Sequence, residues 1–386
     1  MRFNDVCREI AVLVLLLALL LAASCAVAPD VDDFGLDWVV ALEIDPEDLG
    51  VMRTGAQSKT PVGARLWLNH TPYRARIHYA GASSVDDLRR GFTVYPSPAW
   101  RGRTSVRLNA MSRDFTGLRA LIGYRVMSQA GFVMPFVAPA AVWRNGDYHG
   151  LFLLQETYDA EFFAPRGPVP QSLYKARRTQ ADLAVDTDPR SAFSTKIGSP
   201  EMPELHRLIA ALSDLQRPNA TESDYDALEA VLDIDSVLRY MAAALWLDHA
   251  DGINNNYFFV RMPGQTRLRI LPWDLDYTLH RHRTPAQCGF FDRNALFSFL
   301  CRDPFRYQAQ WHATCTQLYA QFDARDLQAH AQAQADKIAD AHRADPFLSA
   351  YPTAFSAQVD DLLAHLAQQE TLIQSWQKNT QQNDSK

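Results

Sequence analysis

The residues best equipped for chemistry fall in one stretch, His249 to Asp276, which reads HADGINNNYFFVRMPGQTRLRILPWDLD. Asp251 is followed five residues later by Asn256, then an apolar strand, a turn, and a second apolar strand ending in Pro-Trp-Asp-x-Asp. Phosphoryl transfer to a hydroxyl asks for these parts: a carboxylate to orient the hydroxyl, and an amide oxygen and a second carboxylate to hold a divalent cation against phosphates. Asp274 and Asp276 flank Leu275, so on a strand both carboxylates share one face, and hard oxygen ligands of this kind suit Mg²⁺ or Mn²⁺. The plainer reading makes Asp251, beside Gly252, a helix-ending loop residue and Asp274 part of a turn after a buried strand. The offsets favour the chemical one. Of Asn254, Asn255 and Asn256, only the last stands five residues from Asp251.

The spacing His-x-Asp-x-x-x-x-Asn is that of the protein-kinase catalytic loop, with Ala250 where arginine is usual. Asp251 is therefore the candidate catalytic residue, and Asn256, Asp274 and Asp276 are the candidate metal ligands. Asp276 has a second reading, as an acid that positions backbone. His249 either orients the loop or faces solvent. Glu156 closes an apolar strand and either contacts a nucleotide, pairs with a basic residue such as Lys175, or forms a surface ion pair. Lys175 follows Leu-Tyr in a strand-like stretch and is a candidate for reaching phosphate, as is Lys196.

These residues need elements to hold them. Ala75, Ile77 and Tyr79 alternate with Arg74, Arg76 and His78, the period of a half-buried strand. A Gly-Ala-Ser-Ser loop (81–84), short strands at 92–95 and 105–108, and a helix through Leu118, Leu121, Ile122 and Val126 follow, the helix ended by Gly131 and Pro135. Asn145-Gly146 between apolar runs 140–143 and 148–155 predicts a β-hairpin. The second half turns helical at 203–215, 223–232 and 236–247, with Asp235 placed to cap the last of these. Its clearest strands are 256–261 and 268–271. From Arg325 onward the chain reads as two or three amphipathic helices rich in Ala and Gln.

The chain has 386 residues and a net charge of −6, room for one large domain or two lobes around a cleft. No Lys/Arg stripe accompanies the aromatics, so nucleic acid is not an expected partner. Arg2 and Arg8 precede an apolar run at 10–23 and then Ala-Ser-Cys at 23–25, the pattern of a signal peptide in residues 1–28. LLAASC reads as a bacterial lipobox with Cys25 lipidated. Cleavage after Ala28 and an uncleaved signal anchor are the alternatives. The expected location is exported, periplasmic or in the cell envelope, with membrane attachment through Cys25 or the anchor. Cys288, Cys301 and Cys315 are odd in number, and Cys288–Cys301 are the nearest candidates for a disulfide.

Four blocks in order give a family resemblance. They are YRARIHYAGASS with RRGFTVY, the stretch 118–156 ending NGDYHGLFLLQE, SLYKA at Ser172–Ala176, and DGINNNYFF…ILPWDLDYTL. On these the chain resembles the CotH family, spore-coat-type atypical protein kinases of bacteria. The resemblance implies an α+β, bilobal, atypical protein-kinase-like fold: a strand-rich N-lobe at 29–165, a helix-rich C-lobe at 166–325, and C-terminal helices at 326–386. It also implies ATP- and Mg²⁺-dependent (or Mn²⁺-dependent) transfer of the γ-phosphate to Ser or Thr of a protein acceptor. Asp251 matches the catalytic aspartate, Asp274 the metal-binding aspartate and Asn256 the second metal ligand. The sequence departs from the family at Ala80, where the loop arginine is usual, at Arg89-Arg90, where a lysine pair is usual, and at Tyr95. Arg90 is then the candidate phosphate contact of the first half, although a planar guanidinium does not replace an ammonium directly. Two other readings remain: a catalytically weak or inactive surface or structural binding protein, and a metal-dependent glycosyl or nucleotidyl transferase. The Asp251–Asn256 pair argues against the transferase.

Overall fold

Seven strands of the first half close on themselves. In a computed structural model, which describes residues 28–384 apart from 55–58, 82–88, 178–179, 285 and 352, the chain begins with β1 (Val39–Glu43), α1 (Pro46–Thr54), β2 (Val62–Leu68), β3 (Thr71–Ala80), β4 (Gly91–Ser97) and β5 (Val106–Asn109). It continues through α2 (Arg119–Gln129), β6 (Val137–Arg144) and β7 (Asp147–Gln155). The strand order is β1-β2-β3-β4-β5-β7-β6, and β1 pairs in parallel with β6 to complete a barrel. Alternate residues fill it: Val40 and Leu42, Leu66 and Leu68, Ile77 and Tyr79, Phe92 and Val94, Val106 and Leu108, Phe152 and Leu154. That period of two turns the intervening residues outward. The outward set on β5 is Arg107 and Asn109. Asn145 and Gly146 both have positive φ, as the tight β6–β7 turn requires, and the Asn145 side chain bonds the Ile44 backbone on both sides at 2.8 Å.

The stretch expected to be helix-rich also builds a four-stranded sheet. After α3 (Ala160–Phe163) come β8 (Ser172–Ala176), α4 (Pro189–Ala192) and β9 (Phe193–Ile197). Then follow α5 (Pro203–Leu215), α6 (Glu222–Val231), α7 (Ile234–Trp246), β10 (Tyr257–Arg261) and β11 (Arg269–Pro272). The order is β11-β10-β8-β9. One face of this sheet, with Tyr174, Tyr257, Phe259 and Ile270, joins the main core around α7; the other packs Leu173, Phe258, Val260 and Leu271 against Tyr158, Phe162 and Trp273. The cap of α7 is Asp233, which accepts from Ser236 N at 3.0 Å, and not Asp235. Asp235 lies inside the first turn, where its carboxylate pairs with Arg239 instead.

The chain ends in α8 (Ala295–Arg302), α9 (Gln308–Tyr319), α10 (Ala324–Ala344) and α11 (Phe355–Asp384). Two helices, α10 and α11, stand where two or three were expected after Arg325. At the end of α10, Asp345 is fully buried: one oxygen accepts from Arg89 (2.9 Å) and Leu151 N (2.7 Å), the other from Phe347 N and Leu348 N. This carboxylate straps the tail to the barrel. Gly150 makes the approach possible, since a Cβ there would come within 2.4 Å of the Asp345 carboxylate.

These elements establish a mixed α+β architecture whose strand-rich half is a closed barrel. The barrel was not anticipated, and a two-lobed division does not follow from it. The targeting segment with Cys25 and loop residues 82–84 lie outside the described residues. No helix among the described residues is long and apolar enough to cross a membrane. Cys288 and Cys301 form a disulfide, and Cys315 is a buried free thiol. A loop of this length stabilises by about 3 kcal/mol through the unfolded chain. Cys288→Ser is therefore expected to lower the urea midpoint, and reductant to shift the wild type but not the variant.

Candidate active site

From Tyr240 to Trp246 helix α7 is buried throughout, so its end is fixed in the core. There Asp248, with positive φ, turns the chain, and a short 3-10 turn (Ala250–Gly252) presents Asp251. His249 is fully buried, and burial pushes its imidazole down to about 4. It does not face solvent. Its ring lies near the backbone of Asn256, Trp273 and Tyr277, although no ring nitrogen makes a hydrogen bond of proper geometry. Gly252 packs directly on that ring: a Cβ would stand 2.1 Å from His249 Cδ2 and 2.5 Å from the Tyr240 hydroxyl. Only glycine leaves room for this turn.

Asp251, Asn256, Asp274 and Asp276 line one cleft of about 730 Å³, together with Lys175 and Lys196. Strand β11 stops at Pro272, so the two aspartates are not strand neighbours as expected. Asp274 has a φ of 57° and Asn256 of 47°, left-handed conformations that Asn and Asp tolerate better than most residues. The loop nonetheless aims both carboxylates into the same space. Asn109 Nδ2 donates to Asp274 Oδ1 at 3.2 Å, and Arg107 stands 3.8 Å from Oδ2. Asp251 is open to the cleft, yet desolvation raises its pKa; Arg293 opposes the rise and Asp274 adds to it. Arg293 also donates to the Ala250 carbonyl at 2.5 Å, steadying the turn.

The donor set fits a hard divalent cation. Asp276 is held well above the usual carboxylate range, first by burial and then by the charge of Asp274, and a cation between such oxygens relieves that repulsion. Asn256 supplies an amide oxygen to the same cleft. Among the described residues, no cluster of three or more His, Cys, Asp or Glu side chains is arranged to hold a metal. A cation held here would need a ligand's oxygens to complete its shell, the habit of Mg²⁺ in phosphate sites.

Lys59, Arg107, Lys175 and Lys196 line the same cleft. Lys175 shares a row with Phe258, its cross-strand partner, and lies 5.2 Å from the Trp273 ring. Burial pushes its ammonium down to about 7, with Arg107 adding to the effect and Asp274 opposing it. An unfolded lysine titrates near about 10.4, so stability from this group is absent below pH ~7 and accrues between pH ~7 and ~10 as the folded state sheds its proton first. Lys175→Met is expected to melt higher than wild type at pH ~6.5 and to lose that advantage by pH ~10, read by calorimetry across pH.

Two expected contacts lie elsewhere. Glu156 accepts from Phe136 N and pairs with Arg103 and Arg166, each at 2.8 Å, at the junction of barrel and sheet. It neither lines the cleft nor meets Lys175. Arg90 sits just beyond the Ala80–Gly91 pairing with its guanidinium 4.9 Å from the Tyr79 ring centroid, and Arg89 is committed to Asp345. Neither lines the cleft. Sequence reasoning missed Arg107, which lines the cleft, and the buried Asn109, which holds Asp274. The signal was present: with Val106 and Leu108 turned inward, Arg107 and Asn109 had to share the other face.

A family model described as CotH kinase protein matches residues 77–373. Inner spore coat protein H of Bacillus subtilis (strain 168) is 25% identical over 248 residues, spanning 62% of this chain and 68% of that relative. The crystal structure of the Helicobacter pylori proinflammatory kinase CtkA aligns with a TM-score of 0.37 at 9% identity, over 77% of this chain and 95% of that chain. A likeness that slight carries no argument.

Proposed function

The chain belongs to the CotH kinase protein family, and from that premise we propose that it transfers the γ-phosphate of ATP to a Ser or Thr hydroxyl of a protein acceptor. The observation that carries this reading is the convergence of Asp251, Asn256, Asp274 and Asp276 on one cleft that Lys59, Arg107, Lys175 and Lys196 also line. In it, Asp251 accepts the hydrogen bond of the acceptor hydroxyl, and its raised pKa makes it a better proton acceptor than a free carboxylate. Asn256 and Asp274, with Asp276 behind them, would hold Mg²⁺ or Mn²⁺, which neutralises charge on the phosphates. Lys175 and Arg107 face the phosphate oxygens, with Lys59 and Lys196 farther out. The barrel would act as one lobe and the remaining sheet and helices as the other. Export belongs to the same proposal, supported by the Cys288–Cys301 disulfide, since such bonds persist in oxidising compartments.

The test is transfer of label from γ-labelled ATP to casein with Mg²⁺, with Asp251→Asn run alongside. Wild-type label that drops by about 10²-fold or more in the variant is the expected result. No transfer, together with no rise in melting temperature with Mg-ATP, overturns it and leaves a binding protein that kept the fold.

A further inference from the structure

A second cavity, of about 900 Å³, opens beside the cleft and shares Ser112, Arg113 and Tyr277 with it. Its walls are the loop before α2, the segment after Asp276, and the stretch joining α10 to α11. Three large side chains stand exposed along it. Phe115 is stacked on Tyr351 with centroids 4.1 Å apart, and Tyr277 lies against His280. Solvent-facing aromatics gathered on one groove are a recognition surface more often than chance.

The charges give the groove a direction. Arg119 is spent on the Thr278 and Leu279 carbonyls and on Asp114. Arg113 stands exposed where groove and cleft meet; among the described residues it makes no hydrogen bond or ion pair, and its field reaches Asp251. Asp361, which lines the groove but not the cleft, is exposed and likewise unpaired among the described residues. The groove thus carries a free positive charge beside Asp251 and a free negative one at Asp361, away from the cleft lining.

We propose that this groove seats the acceptor polypeptide in extended form, with Arg113 selecting an acidic side chain close to the acceptor hydroxyl. This rests on the kinase reading for the word acceptor, but the groove, its aromatics and its two charges are independent of turnover. The aromatic shelf supplies apolar contact to the segment beyond the acidic residue. A basic residue farther along meets Asp361.

The experiment measures binding first, without ATP. Fluorescent peptides carrying one Ser, an aromatic residue and either Glu or Lys beside the Ser are titrated against the full chain and followed by anisotropy. The Glu peptide is expected to bind about tenfold tighter than the Lys peptide, the effect of one well-placed charge pair. Arg113→Glu should reverse the preference; Tyr351→Ala should weaken both peptides alike. Equal binding of the two peptides, or a preference unmoved by Arg113→Glu, overturns the groove. Phosphate transfer to the same peptides is then measured. Arg113-dependent binding without transfer keeps the groove and removes the kinase reading. Transfer indifferent to Glu, Lys and Arg113→Glu keeps the kinase and removes the groove. In the surviving case Arg113→Glu raises KM for the Glu peptide and leaves KM for ATP in place; a shift in KM for ATP alone overturns the assignment of Arg113 to the acceptor.

Discussion

Asp274→Asn is expected to fold as well as the wild type and to transfer phosphate at least about 10³-fold more slowly. Asparagine keeps the shape of the side chain and tolerates the left-handed backbone that Asp274 adopts, so the change is confined to charge. That charge has two opposed roles in the folded protein. It attracts Arg107 at 3.8 Å, and it repels the half-buried Asp276. Removing it loosens the first and relieves the second, so the pKa of Asp276 falls back toward the ordinary range and stability changes little. In the proposed reaction nothing replaces the lost anionic ligand. Label transfer and the Mg-ATP-dependent rise in melting temperature should therefore disappear together, while the urea midpoint without nucleotide stays close to wild type. A variant that still transfers at wild-type rate would falsify the assignment of Asp274 to the metal.

Asp345→Ala is the prediction with the largest effect on stability, a loss of about 3–5 kcal/mol in urea unfolding. The substitution leaves the Arg89 guanidinium buried without its anion, and strands the Leu151, Phe347 and Leu348 amides that the carboxylate accepts from. Burial already pulls the Arg89 pKa down, and Asp345 is what chiefly holds it up. The cost lies in the orphaned charge more than in the lost pair. Arg89→Met combined with Asp345→Ala should recover part of the loss, because exchanging both ions for apolar groups removes the uncompensated charge.

The acids of the site were legible because they are local. Asp251 and Asn256 lie in one loop, and the strand pair that returns to Asp274 was visible as two apolar runs with a turn between. The Asn145-Gly146 hairpin and the helices of the second half were legible for the same reason, since short-range period and turn chemistry specify them. Barrel closure was not. VVALE at β1 carries no mark of a parallel partner a hundred residues on. Strand β9, Phe193–Ile197, hid behind its polar residues. Arg90 was read as a phosphate contact because the resemblance places a basic pair there; its guanidinium lies over the Tyr79 ring instead, and its neighbour Arg89 is held by Asp345, far off in sequence. Arg107 was overlooked because an outward arginine on a strand reads as a solvated one.

The β1–β6 pairing also sets an order of events as the chain emerges. β2 to β5 meet their partners within short spans and can pair as they appear. One edge of β1 pairs with the nearby β2, but the other waits for residues 137–144, and gathering a loop of that length costs roughly 4 kcal/mol of chain entropy before that pairing rewards it. Until then Val39–Glu43 is an apolar edge, open to strands of other nascent chains. A polypeptide with this topology benefits from a delay in collapse, whether imposed by a bound chaperone or by passage through a narrow translocon, that lets both seam strands arrive together.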